Sequence, residues 1–138
     1  MRKLNEIAGD IRDLLSTEFQ TVRISAHQTS EQLLSEIRAV NPDKLPGVII
    51  APDSWKFEGS SMTNTLKMKL ILVDQFRAGS DERALSVFQA GSALMELFPA
   101  SGREINGVWY YPADCAASTP DAQYAALAIG LEIKQGSM

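Results

Sequence analysis

Pro46-Gly47-Val48-Ile49-Ile50-Ala51-Pro52, a polar stretch from Asp53 to Thr65 holding Gly59-Ser60-Ser61, and then Leu66-Lys67-Met68-Lys69-Leu70-Ile71-Leu72-Val73 decide how this chain folds. Val48-Ile49-Ile50 is a continuous apolar run bounded by Pro-Gly and Pro-Asp, the pattern of a strand covered on both faces. In the second run Leu66, Met68, Leu70 and Leu72 point one way, and Lys67, Lys69, Ile71 and Val73 the other. The second face changes midway from charged to apolar. The strand therefore leaves the core at its start and is covered on both sides by its end. Asp53 to Thr65 shows no sustained period and reads as a long loop at the tip of a hairpin.

Downstream, Ala78-Gly79-Ser80-Asp81-Glu82 supplies a turn, an N-cap and first-turn acids that suit a helix dipole. The helix that follows groups Ala84, Leu85, Phe88, Gly91, Met95 and Phe98 near one face and stops before Pro99. Ala90-Gly91-Ser92-Ala93 lets a backbone approach closely, at a propensity cost of about 1 kcal/mol for the glycine. Ile105 to Tyr111 and Tyr124 to Ile133 read as two further strands, the last with Ala125, Leu127, Ile129, Leu131 and Ile133 on one face. Pro112 to Gln123 between them reads as a second long loop.

Upstream, Leu4, Ile7, Ala8, Ile11, Leu14 and Leu15 recur at the helical period. Val22, Ile24 and Ala26 alternate with polar neighbours as in a short half-buried strand. Thr29 and Gln32 have capping-box spacing ahead of Leu33, Leu34, Ile37 and Val40. That second helix ends before Asn41-Pro42, because proline disfavours helical geometry in the residue before it. The sum is one α+β domain over residues 1–138, with a mixed or antiparallel sheet of about four to five strands packed against two to three helices.

Composition limits the function classes. The chain has 45% hydrophobic and 22% charged residues, ordinary values for a globular protein large enough to bury a core. Its net charge of −4, with Lys and Arg spread along the chain, argues against specific nucleic-acid binding. No apolar run approaches ~18 residues, and the start of the chain turns amphipathic instead of continuing into an apolar core, so no membrane segment or secretion signal is expected. The single cysteine, Cys115, excludes an intrachain disulfide and suits a reducing compartment.

No catalytic, cofactor-binding or metal-ligating residue is assigned. His27 is the only histidine, and no spacing pairs it with Cys115 or a serine as base and nucleophile. Asp81 and Glu82, near Asp74, are explained by helix capping, and no phosphate-binding glycine motif occurs. The aromatics concentrate at Trp55, Phe57, Trp109, Tyr110 and Tyr111. Trp55 and Phe57 lie in an otherwise polar stretch and admit two readings: they fold back on their own sheet, or they form an oligomer contact, where aromatics are enriched. With Lys67, Lys69 and Ile71 on the outer face of the second strand, they make the candidate interface.

The Pro46 to Pro52 run, the polar loop, Leu66 to Val73, and Asp81-Glu82-Arg83-Ala84 opening a helix together resemble the tail terminator, or tail completion, proteins of long-tailed phages and prophages. The resemblance covers most of the chain in element order. It implies a small structural subunit and not an enzyme: a ring, typically a hexamer, that caps the tail tube, ends its polymerisation and presents the surface that joins the head. It further implies partners in other copies of itself, the tail tube protein and a head-completion or neck protein, and a place in the virion tail after assembly in the host cytoplasm. The stretch from Asp53 to Thr65 resembles the family's mobile hairpin, and Pro112 to Gln123 could serve likewise. A head-tail connector or neck subunit would have similar composition. A small cytosolic ligand-binding domain or enzyme is the third reading, which a ligand-dependent shift in melting temperature would favour.

Overall fold

A computed structural model describes residues 2–25, 30–40, 42–58, 63–75, 81–121 and 124–136 of the chain; for 30, 31, 33, 34, 42, 53–58, 63–65, 83, 84, 118–121 and 136 it describes the backbone alone. The elements in chain order are α1 (Leu4–Leu15), β1 (Thr21–Ile24), α2 (Ser30–Arg38), a 3₁₀ turn (Pro42–Lys44), β2 (Gly47–Glu58), β3 (Thr63–Gln75), α3 (Asp81–Leu97), β4 (Arg103–Ile105), β5 (Val108–Asp121) and β6 (Tyr124–Gly136). They form one mixed six-stranded sheet in the order β1-β2-β3-β6-β5-β4. β1 pairs with β2 in parallel, and every other pair is antiparallel.

The alternation read from β3 sorts the layers. Leu66, Met68, Leu70 and Leu72 join Val48 and Ile50 of β2, Ile129, Leu131 and Ile133 of β6 and Tyr110 of β5 under α1 and α3. α1 contributes Ile7, Ala8, Ile11 and Leu15, and α3 contributes Ala90 and Leu94, with Phe98 just past its end. The opposite face has a smaller cluster in which Ile37 of α2 packs with Ile49, Ala51, Ile71, Val73, Tyr124 and Ala126. The change from charged to apolar along β3 thus marks where α2 covers it: Lys67 and Lys69 are exposed, Ile71 and Val73 buried. Each fully buried Leu or Ile contributes about 1.5–3 kcal/mol, so the larger cluster dominates stability.

Local chemistry fixes the ends of the elements. Glu6 Oε1 accepts from the Lys3 backbone N at 3.0 Å, closing one half of a capping box; lysine has no acceptor to close the other half. Arg2 clamps α1, with Nη1 2.8 Å from Glu6 Oε2 and Nη2 2.7 Å from Asp10 Oδ1. The Arg2 backbone N and O bond the Gln135 amide at 2.9 and 3.0 Å, so the first residues are tied to the end of β6. A Cβ on Gly91 would stand 3.0 Å from Leu127 Cδ1, which confirms the close approach of α3 to the sheet.

Four expectations are corrected. The sheet has six strands, not four to five. The stretch from Asp53 to Thr65 is mostly strand, since β2 runs to Glu58 and β3 begins at Thr63, with a bulge between Pro52 and Ser54. Most of Pro112 to Gln123 is strand as well: β5 continues to Asp121, with irregularities at Pro112/Asp114 and Ser118/Asp121. Bulges shift the side-chain period by one residue and hide it from a period-2 reading. The buried face of α3 is Val87, Ala90, Leu94 and Phe98; Leu85, Phe88 and Met95, assigned to the packed face, are exposed. The expected cap at Thr29 lies outside the described residues.

Candidate functional site

α3 spans the core with one face and leaves an apolar stripe on another. Leu85, Phe88 and Met95 are 59%, 63% and 46% exposed, and with Ser92 they fall at i, i+3, i+7 and i+10, a single line along the helix. The side of this line follows from its neighbours. Ser86 Oγ donates to Asp74 Oδ2 at 3.0 Å, and Ala90 and Ala93 border an open groove with Phe19, Lys44 and Leu45, so that flank looks toward β1 and β2. Gly91 lies over Leu127 and Leu72. Phe88 and Met95, next to Gly91 around the helix, therefore lean toward β6 and β5. There Ala113, Asp114, Cys115, Ala116 and Ala117 of β5 are all exposed.

The sheet's other face is also open beyond α2. Trp109 is 44% exposed, and its ring stacks on Tyr111 with centroids 6.3 Å apart and planes at 20°. Lys134 lies opposite Trp109, and Glu132 opposite Tyr111. Lys67 Nζ reaches Glu132 Oε1 at 3.9 Å, an exposed pair worth little by itself. An aromatic pair framed by charges thus occupies the layer opposite α3.

The candidate interface residues fall in three places. Lys67 and Lys69 stand on the open face, Lys67 in its pair with Glu132. Ile71, 8% exposed, packs in the cluster under α2. Trp55 and Phe57 lie in β2 at the register positions opposite Leu66 and Asn64. Compared with protein-family models and with curated proteins, the chain gives no match. What surfaces it presents must be judged from the molecule itself.

Few groups are arranged for chemistry. Among the described residues no group of three His, Cys, Asp or Glu stands close enough to hold a metal ion. His27 lies outside them. Cys115 is an exposed thiol on β5. Asp74, 2% exposed, spends its carboxylate on the fold, accepting from the Gln75 backbone N at 2.8 Å and from Ser86. Tyr110 is wholly buried and its hydroxyl has no hydrogen-bond partner among the described residues; burial, and secondarily Asp10, push its pKa up. No described helix is long and apolar enough to cross a membrane. The α3 stripe and Trp109 are what sequence reasoning left out of the interface. The i, i+3, i+7 and i+10 spacing of the stripe was visible, but two apolar stripes compete on α3 and only packing decides which is buried.

Proposed function

We propose that this chain is a structural ring subunit of the tail-terminator type, which caps a phage tail tube and acts by binding alone. The observation that supports it is the stripe of Leu85, Phe88 and Met95, exposed on a protein whose core is already closed beneath both of its helical layers. Aligned apolar side chains at such exposure mark a contact surface. The stripe and the Trp109 pair lie on opposite layers, and two different patches are what a head-to-tail ring requires, whereas a two-fold dimer uses one patch twice.

Magnitude limits what the stripe does alone. A stable interface removes about 800 Å² from each partner, more than three partly exposed side chains provide. Further surface must join it, and the partners in this reading are other copies of the chain, a tail tube protein and a head-side protein. A hexamer is the family's usual ring and the stoichiometry proposed here.

Sedimentation over a wide concentration range tests the ring, with Leu85→Ser/Phe88→Ser as the control. The wild-type chain should assemble, and the double variant should dissociate at least tenfold more readily with an unchanged melting temperature. Electron microscopy of tail tube protein polymerised with and without the chain tests the capping role. Shorter tubes with a density at one end are expected. A monomer at every concentration, with or without tube protein, defeats the ring; an intact ring that leaves tube length unchanged favours the neck or connector role.

A further inference from the structure

The sheet ends in two unpaired edges placed diagonally. β4 pairs with β5 only from Val108 to Tyr110, so among the described residues nothing hydrogen-bonds the outer side of β5 from Tyr111 to Asp121. β1 pairs with β2 only from Gly47 to Ile50, so among the described residues no strand pairs with the outer side of β2 from Ala51 to Glu58. Following the register across the sheet, Tyr111 is level with Ser54, and Ala117 is level with Val48. The two open edges therefore extend toward opposite ends of the sheet and share only the levels of Ala51 to Ser54. Long unpaired edges are templates for pairing with another chain.

We infer that the open edge of β5 receives the open edge of β2 from a second copy of this chain, continuing the sheet from subunit to subunit; the pairing rests on the ring reading above. Strand direction favours it. β2, β3, β6 and β5 alternate in direction, so β5 runs opposite to β2. Copies that follow one another around a ring in the same orientation bring the two together antiparallel, the more stable arrangement. The diagonal offset makes each neighbour step along the strands, which is the shear of a closed barrel with tilted strands. It lets β1 and β4 pass each other without competing for the same edge.

Charge matches in the same sense. The open stretch of β5 contains Asp114 and Asp121 and no Lys or Arg, and Asp114, opposite Gly130, stands on the same face of the sheet as Lys69. The open stretch of β2 and the β3 residues beside it carry Lys56, Lys67 and Lys69 against Asp53 and Glu58. Small, exposed residues at Ala113, Cys115 and Ala117 leave the β5 edge accessible.

Cys115, the chain's single cysteine, stands in the middle of the receiving edge and is exposed, so it reports the contact directly. Residues facing each other on adjacent strands have Cα atoms about 4.5–5.5 Å apart, within disulfide reach. Pro52→Cys, Trp55→Cys and Phe57→Cys, at register positions opposite Met68, Leu66 and Asn64 and so on the same face of the sheet as Cys115 opposite Ile129, are made singly, shown to sediment like the wild type when reduced, and oxidised with diamide. The pairing predicts that at least one variant gives a ladder of covalent oligomers in a denaturing gel, ending at one highest species, while the wild type stays a single chain. Dimers in the oxidised wild type would mean that Cys115 meets its own counterpart, which overturns the head-to-tail pairing. A sedimenting ring with no ladder in any variant overturns the pairing and leaves the ring in place. Monomers without any ladder overturn both.

Discussion

The Tyr110 hydroxyl is a polar group stranded inside the main core. The ring fills space against Phe98, with centroids 6.0 Å apart, and its oxygen is buried without a partner among the described residues. An unsatisfied buried hydroxyl costs about 1–3 kcal/mol, whereas replacing it by an apolar group of the same shape is nearly neutral or stabilising. Tyr110→Phe should therefore leave the urea midpoint unchanged or raise stability by about 1 kcal/mol. pH separates this from a simple packing effect. Because burial raises the folded-state pKa above the usual value of about 10, folded and unfolded chains hold the same proton below that pH and no stability is lost. Above pH 10 the unfolded tyrosine ionises while the folded one does not, so stability falls as pH rises. Alkaline titration of the urea midpoint should show a smaller decline in Tyr110→Phe than in wild type.

Among the elements, the hairpin from β4 to β5 shows what local chemistry can specify. Ile105 pairs with Val108 across Asn106-Gly107, whose φ angles are 53° and 81°. Both central residues at positive φ define a type I′ turn, for which Asn-Gly is the strongest short-range signal. The Gly107 N–H donates to Glu104 Oε1 at 2.6 Å. A Cβ at Gly107 would meet nothing within 4 Å, so any cost of Gly107→Ala is conformational. That cost is about 1–2 kcal/mol; the urea midpoint should fall accordingly, and Gly107→Asn should restore part of it.

This turn is legible in Asn106-Gly107, so Ile105 to Tyr111, a strand by its apolar content, is divided into the end of β4, a turn and the start of β5. The short-period elements were the legible ones: α1, β2 up to Pro52, the two faces of β3, and β6. Ser54-Trp55-Lys56-Phe57-Glu58 alternates polar with aromatic, but the bulge after Pro52 breaks the phase with the run before it. β5 beyond Tyr111 had no apolar rhythm to read. Ala113 to Ala117 are exposed on both faces, and only pairing with β6 makes this stretch a strand. The candidate site was legible to the same extent. Lys67 and Lys69 showed as an open face through alternation, whereas the stripe on α3 depended on which side of the helix the sheet chose.

Across the whole molecule, cover is unequal, and the inequality can be read as a distribution of opening rates. From Leu70 to Val73, β3 is paired on both sides, by β2 and β6, and packed on both faces, by α1 and α3 on one and α2 on the other. Local openings free only what their own few contacts hold, so these amides exchange with solvent only when the whole fold opens. From Ala113 to Ala117, β5 has one neighbouring strand among the described residues, and its residues are exposed. Deuterium uptake in dilute subunit should be slowest at Leu70 to Val73, with the rate there tracking global stability through a urea series, and fastest within the sheet at Ala113 to Ala117. Equal rates at the two sites would mean that the sheet opens as one unit. The covered segment of β3 is thus the slowest clock in the molecule, while its outer strand runs ahead, losing and regaining deuterium many times before the core opens once.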